Sequence, residues 1–155
     1  MAAVAYDSGQ ARRELLDDLA VAIDALGRAL AALGEAYEQL DERTADTLEQ
    51  QLFGPVQRAY GRAQRTHSGF AERHGLPTRT FAPGAGGAPS RGARGFIDDA
   101  SAAVTEADAR IAEMQDSLRP VEVGDAELRA GLSEVRRLIA DVPAHARALV
   151  RMLGR

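Results

Sequence analysis

The sequence predicts an all-α protein, folded as an antiparallel four-helix bundle with coiled-coil-like packing. Apolar residues recur in steps of three and four through four long stretches, a spacing that places them on one face of a helix. Short turns separate the first stretch from the second and the third from the fourth, and a longer glycine- and proline-rich segment joins the two hairpins. We therefore expect one domain, residues 1–155, with helices at about 8–41, 47–74, 95–119 and 125–153 and a flexible linker at 77–94.

The first helix carries the most regular apolar stripe. Asp7 or Ser8 can cap its start by accepting a hydrogen bond from a free backbone amide. Ala20, Gly27 and Gly34 lie seven residues apart beside the stripe, and their small size predicts the close approach of another helix. The residues of the stripe are Leu16, Leu19, Ile23, Leu26, Leu30, Leu33, Tyr37 and Leu40.

The second helix is predicted to follow a polar turn at 41–46. Thr47 and Gln50 have the spacing of a capping box, which would start the helix there. Pro55 lacks an amide hydrogen and should kink the helix, and Gly75 should end it. The alternative is a first helix that continues to Phe53 and breaks at Gly54-Pro55. The inward face would carry Leu52, Val56, Tyr60, Ala63, His67, Phe70 and His74.

The third and fourth helices follow the linker and have the same apolar spacing. Asp125 should cap the fourth helix, and Pro143 should kink it. Their stripes are Ile97, Ala100, Val104, Ala107, Ile111, Met114 and Leu118 in the third, and Leu128, Leu132, Val135, Ile139, Val142, Ala146, Leu149 and Leu153 in the fourth. A connection as long as 77–94 is uncommon unless it has a function or is disordered.

Composition restricts the classes of function. The chain has no cysteine, which excludes disulfides, thiolate metal sites and cysteine nucleophiles and is typical of a reducing compartment. The first ten residues lack the pattern of a signal peptide, and no stretch of about 18 apolar residues occurs, so we expect a cytoplasmic protein with no membrane association. All 19 basic residues are arginine and asparagine is absent, as expected of a bacterium with a GC-rich genome.

Charge is unevenly distributed along the chain. Residues 55–95 have a net charge of +6, whereas residues 1–54 have −7 and residues 96–155 have −3. The basic segment can be a surface for phosphate, nucleic acid or an acidic partner, or it can be neutralised by acidic residues of the first helix such as Asp17, Asp24 and Glu35. The candidate anion or partner surface consists of Arg58, Arg62, Arg65, Arg73, Arg79, Arg91 and Arg94.

Metal chemistry has little basis in the sequence. His67 and His74 are seven residues apart, about 10 Å along a helix, which is too far to share one metal ion. The pairs Glu35 with Glu38 and Glu113 with Asp116 resemble the Glu-x-x-Glu and Glu-x-x-Asp pairs of all-α nucleotide pyrophosphatases. That resemblance implies Mg²⁺ binding and nucleotide hydrolysis. We otherwise expect no metal and no cofactor.

The leading functional hypothesis is a non-enzymatic protein-interaction or scaffold role. It rests on four apolar stripes and on the lack of a recognisable nucleophile or phosphate-binding motif in the sequence. The expected partner is another protein, with a homodimer as one form. Anion or nucleic-acid binding through the arginine surface and metal-dependent nucleotide hydrolysis are the alternatives, and we do not expect nucleic acid as the main partner.

Overall fold

The computed structural model describes residues 2–84 and 91–154, with side chains from residue 8 onward. The chain is all-helical, and no strand occurs in the part that is described. None of the helices there is long and apolar enough to cross a membrane. The helices are α1 (Ala2–Glu38), α2 (Glu42–Leu48), a π-helical turn (Glu49–Phe53), α3 (Gly54–Arg73), α4 (Gly92–Asp116), α5 (Arg119–Glu122), α6 (Ala126–Ile139) and α7 (Val142–Leu153).

Helix α1 spans Ala2–Glu38, so it begins and ends earlier than predicted. A start at Asp7 or Ser8 is wrong, because both residues lie inside the helix. Most of its apolar stripe is buried in the core, as predicted, from Leu16 to Leu33. Tyr37 is an exception, since it lies near the last turn and is exposed.

The second helical segment begins at Glu42, five residues earlier than predicted. The Asp41 carboxylate accepts a hydrogen bond of 2.9 Å from the Thr44 backbone amide, which caps α2. The predicted turn at 41–46 and the capping box at Thr47 are therefore wrong, and Thr47 instead donates its hydroxyl to the Arg43 carbonyl within the helix. The alternative prediction, a first helix that continues to Phe53, is also wrong, because α1 ends at Glu38 and Asp41 caps a new helix.

Just before Pro55, where the sequence predicts a kink, the chain forms a widened helical turn. Residues Glu49–Phe53 are π-helical, and the Gly54 amide donates to the Glu49 carbonyl five residues back. Widening the turn accommodates a proline, which cannot donate to the preceding turn, and the chain continues as α3. Gly75 ends α3 with a positive φ of 66°, as predicted.

The second half of the chain contains four helices, α4 to α7, where two were predicted. Helix α4 ends at Asp116, because Leu118 adopts a left-handed backbone conformation and the short helix α5 follows. The Asp125 cap is confirmed, since its carboxylate accepts a 2.8 Å bond from the Leu128 amide. Near Pro143 the helix does not bend but breaks, and α7 begins at Val142.

Helices α1, α3, α4, α6 and α7 pack around one apolar core. Helix α1 runs opposite to α4, because Arg28 pairs with Glu106 while Arg119, just after α4, pairs with Glu14. Helix α3 also runs opposite to α1, since Gly27 faces Tyr60 whereas residues near Asp17 face His67. Helices α3 and α4 are therefore parallel, and the connection between them must return along the length of the molecule.

Residues 77–84, which we call the strap, make the first part of that return. Arg79 pairs with Asp24 at 3.1 Å, and Phe81 packs partly buried against the core. Pro83 lies beside Gly27, where a Cβ would be 3.2 Å from the Pro83 Cα. Gly27 thus admits both the strap and the Tyr60 ring of α3, whereas Gly34 has nothing within 4 Å of its Cβ position. Residues 85–90 of the predicted linker lie outside the described residues.

Candidate functional site

Four of the seven arginines of the predicted basic surface bind carboxylates of this chain. Arg62 donates to Glu134 at 2.7 Å, and Arg73 donates to Asp125 at 2.8 and 3.0 Å. Both carboxylates belong to α6 or its cap, not to the first helix, so the expected partner helix was wrong for these two arginines. The other two pairs are Arg79 with Asp24, on α1 as expected, and Arg91 with Asp99.

Three arginines of that surface, Arg58, Arg65 and Arg94, are exposed and form no ion pair within the residues that the structure describes. The guanidinium groups of Arg58 and Arg65 lie over the glycines four residues earlier in α3, close to the position that a Cβ would take there. The arginines therefore do not converge on one site, because four of the seven pair with carboxylates at separate places in the fold.

The two carboxylate pairs that resemble a pyrophosphatase site are far apart. Since Arg28 of α1 lies beside Glu106 of α4 and the helices are antiparallel, Glu113 is level with a position one to two turns before Arg28. Glu35 lies further along α1 in the other direction, about 20 Å away at 1.5 Å per residue. Within the described residues no three His, Asp or Glu side chains are placed to hold a metal ion. The two pairs are thus not parts of one metal site.

The two histidines of α3 have different environments. The His74 Nε2 atom lies 3.0 Å from an Asp125 carboxylate oxygen, beside Arg73, so His74 belongs to the cluster that caps α6. His67 is 3% exposed, and its Nδ1 atom has no hydrogen-bond partner among the described residues. Its ring meets the Phe81 ring edge-on, with centroids 5.2 Å apart. His67 is therefore a buried polar side chain with an unmet hydrogen bond.

The electrostatic surroundings of His67 favour its neutral form. Burial lowers its pKa below the usual value, and the nearby Arg79 guanidinium lowers it further. The Asp17 carboxylate and the Leu16 backbone carbonyl raise the pKa, but less than burial lowers it. His67 is thus uncharged near neutral pH and can donate from one ring nitrogen and accept at the other.

His67 borders an open cleft of about 250 Å³ between α1 and the start of the strap. We call this the His67 cleft. Its α1 side carries the charged residues Arg13 and Asp17, one helical turn apart, together with apolar side chains. The lining residues are Arg13, Leu16, Asp17, Ala20, His67, Leu76, Pro77, Thr78 and Arg79. The sequence placed His67 on the inner face of its helix, but the cleft depends on the course of the strap, which no local pattern predicts.

A second feature is the turn between α4 and α6, which presents two apolar side chains to solvent. Leu118 is 57% exposed and Val121 is 63% exposed, and we call this pair the Leu118–Val121 tip. Leu118 is the one non-glycine residue with positive φ in the described parts of the chain, at 65°. The sequence assigned Leu118 to the apolar stripe of the third helix, and that assignment is wrong because the left-handed conformation turns the chain out of the helix before Pro120.

Several bonds from other helices hold this tip. The Arg12 Nε atom of α1 donates to the Val123 carbonyl at 2.9 Å, and Arg119 pairs with Glu14 at 3.0 Å. From α6, the Arg129 guanidinium donates to the Pro120 carbonyl at 3.1 Å. The turn is so tight that a Cβ at Gly124 would lie 2.3 Å from the Pro120 carbonyl oxygen. The tip is therefore fixed to the helices on both sides.

No family model, curated protein or solved structure matches this chain.

Proposed function

We propose that this protein is a non-enzymatic interaction or scaffold module that binds a protein partner through the Leu118–Val121 tip. The observation that carries the proposal is the backbone of Leu118, which is left-handed although its side chain is largely exposed. A left-handed conformation costs an ordinary L-residue about 1–2 kcal/mol. Burial in the core of this chain does not offset that cost, whereas contact with a partner would.

The bonds around the tip support a role in binding. Backbone strain persists where the surrounding structure determines the conformation, and such positions cluster at functional sites. Here Arg12, Arg119 and Arg129 supply the bonds that fix the turn. A rigid tip loses little conformational entropy when a partner binds, so more of the contact energy remains as affinity.

Charge around the tip indicates what the partner surface contains. Asp116 and Glu122 are exposed on either side of Leu118 and Val121, whereas Arg119 is engaged by Glu14 and Asp18. The two apolar side chains would fill an apolar groove of the partner. Its rim would face the acidic residues and also Arg12 and Arg129, whose guanidinium groups bind backbone carbonyls and keep their charge. The proposed partner is therefore a protein with an apolar groove whose rim carries charges of both signs.

The proposed body of the module is an antiparallel four-helix bundle with coiled-coil-like packing, in the cytoplasm of a bacterium. Its four columns would be α1, α2 with α3, α4, and α6 with α7. The opposite directions of α1 and α4, and of α3 and α6, support this arrangement, as Arg62 pairs with Glu134 while Arg73 pairs with Asp125. The absence of cysteine supports a reducing compartment.

Site-specific photocrosslinking in the native host would test the tip. A benzoylphenylalanine at position 121 should give one discrete adduct, and Leu118→Asp should abolish it because a carboxylate cannot enter an apolar groove. The matched control is the same probe at Met152, which is 58% exposed on α7. Equal adduct patterns from positions 121 and 152, or no adduct from 121, would overturn the proposal. An adduct of twice the chain mass would identify the partner as a second copy.

Anion or nucleic-acid binding by the arginine surface has less support. It would use Arg58 and Arg65, because Arg62, Arg73 and Arg79 are held by carboxylates. Retention on heparin or DNA that falls steeply with salt and is lost in Arg58→Gln/Arg65→Gln would favour this alternative. Absence of retention at about 50 mM salt would argue against it.

A further inference from the structure

A groove of about 310 Å³ lies between the last turns of α1 and the π-helical turn. We call it the Tyr37 groove. Its lining residues are Gly34, Tyr37, Glu38, Glu49 and Phe53. It lies towards the opposite end of α1 from the Leu118–Val121 tip, where Arg119 pairs with Glu14. The groove is therefore separate from the surface that we assign to a protein partner.

Each wall of the groove offers one aromatic ring and one carboxylate. On α1, Tyr37 and Glu38 follow Gly34 by about one helical turn, so all three share one side of the helix. On the other wall, Glu49 and Phe53 are the first and last residues of the π-helical turn. Nothing lies within 4 Å of the Cβ position of Gly34, so the lack of a side chain there keeps the groove open.

The protein does not cover the two aromatic rings. Tyr37 is 39% exposed although it belongs to the apolar stripe of α1, and Phe53 is only partly buried against the core. Within the described residues, neither ring pairs with another aromatic ring, and the one guanidinium over a ring is that of Arg79, over Phe81. The ring faces of Tyr37 and Phe53 are thus available to a ligand.

Charge in the groove has a single sign. Glu38 and Glu49 are exposed, and neither forms an ion pair with any residue that the structure describes. No basic residue is among the described residues that line the groove. An aromatic ring also attracts a cation, because its face carries partial negative charge. The rings and the carboxylates therefore favour the same ligand charge for two independent reasons.

We propose that the Tyr37 groove binds a small quaternary ammonium compound that has no acidic group. Its methyl groups would lie against the rings of Tyr37 and Phe53, and its charge would face Glu38 and Glu49. A primary ammonium is more strongly hydrated and would lose that water against the rings. A compound that also carries a carboxylate or a phosphate would be repelled by the two glutamates. The volume of the groove is at the lower end of the range for ligand pockets, which fits a small molecule.

Titration of the full chain, with fluorotyrosine in place of its tyrosines, would test this site. The probes are choline, its neutral carbon analogue, in which carbon replaces the ammonium nitrogen, and betaine, which adds a carboxylate. Choline should shift the Tyr37 fluorine resonance saturably and bind at least tenfold more tightly than either analogue, because only choline has a net positive charge. No saturable shift at tens of millimolar choline, or equal binding of either analogue, would overturn the proposal.

Glutamate variants test the part that charge has in binding. Glu38→Gln and Glu49→Gln should each weaken choline binding about threefold or more, and the two changes together about tenfold or more. Glu42→Gln is the matched control, because Glu42 is an exposed glutamate of α2 that does not line the groove. Equal choline affinity in the double variant and in Glu42→Gln would contradict the assigned contacts.

A variant at Gly34 tests the groove without removing any contact of the fold. Gly34→Leu should abolish choline binding while the circular dichroism spectrum stays unchanged, because the leucine side chain would enter open space in the groove. Tyr37→Leu should weaken choline binding about tenfold, since an aliphatic side chain cannot make the cation–π contact. Unchanged choline affinity in Gly34→Leu and in Tyr37→Leu would place choline elsewhere. Crosslinking from position 121 is independent of these results.

Discussion

Thr66 of α3 lies directly against Gly131 of α6. A Cβ at Gly131 would be 2.2 Å from the Thr66 Oγ1 atom and 2.7 Å from its Cγ2 atom. Thr66 cannot easily turn away, because its hydroxyl donates to the Arg62 carbonyl at 2.8 Å and accepts from the Arg62 guanidinium at 2.9 Å. The lack of a side chain at residue 131 therefore permits the close approach of α3 and α6.

Substitution of Gly131 by alanine should destabilise the protein. The added methyl group would push α3 and α6 apart, and overpacking of this kind lowers the free energy of unfolding by about 1–3 kcal/mol. Gly34→Ala is the matched control, since nothing lies within 4 Å of its Cβ position and alanine favours helix by about 0.5–1 kcal/mol. Urea unfolding of both variants measures the effect. A gain of stability in both would show that the helices do not meet at Gly131.

The Asp125 cluster should make the protein sensitive to acid. Asp125 caps α6 and also accepts hydrogen bonds from Arg73 and His74. The Arg73 guanidinium, more than any other group, lowers the Asp125 pKa far below its usual value. A folded-state pKa below the unfolded value of about 3.9 stabilises the protein above that pH, and the contribution is lost as the pH falls further.

Two variants of Asp125 separate the effect of its charge from its role in capping α6. Asp125→Asn keeps an oxygen that can cap α6, so it should reduce the loss of stability between pH 5 and pH 3 relative to wild type. Asp125→Ala should also lose about 1 kcal/mol at neutral pH, because the Leu128 amide is left without its acceptor. Denaturant unfolding at several pH values measures both effects. The same acid dependence in Asp125→Asn as in wild type would contradict this role of the charge.

Local patterns in the sequence were sufficient to predict the helices themselves. The apolar period of residues 16–33 predicts the buried face of α1, because a side chain's face depends on the helical repeat alone. Asp125 and Gly75 could likewise be identified, since a cap and a left-handed helix end are made within a few residues. The capping box predicted at Thr47 was wrong because Asp41, six residues earlier, caps the helix instead.

Contacts between distant segments could not be predicted in the same way. The partner of Arg62 is Glu134 because α6, and not α1, lies on that side of α3. The choice of neighbouring helices is a property of the whole fold. The antiparallel packing of α1 and α4 likewise places Glu35 and Glu113 far apart along the helix axes. The His67 cleft likewise depends on the course of the strap, which follows α3 and runs along α1, where Arg79 pairs with Asp24.

Stability should fall below about pH 6.5 because of His67. Its pKa is lowered mainly by burial and then by Arg79, so the unfolded chain, with a histidine pKa near 6.5, takes up a proton before the folded protein does. The contribution of His67 to the free energy of unfolding is therefore fully present above pH 6.5, and it decreases on acidification. His67→Leu should weaken this dependence between pH 8 and pH 5.5, and His145→Leu should retain it. Melting curves with the wild-type slope in His67→Leu would contradict the prediction.

Relief of the strain at Leu118 should raise stability while it removes the proposed contact. Asparagine adopts left-handed backbone conformations more readily than leucine, so Leu118→Asn should gain up to about 1 kcal/mol. Val121→Asn is the control, because Val121 is similarly exposed within helix α5 and asparagine there should bring no gain. Urea unfolding measures the difference, and Leu118→Asn should also lose the crosslink from a probe at position 121. If Leu118→Asn is destabilised as much as Val121→Asn, Leu118 is not strained, and the reason to assign the tip a partner disappears.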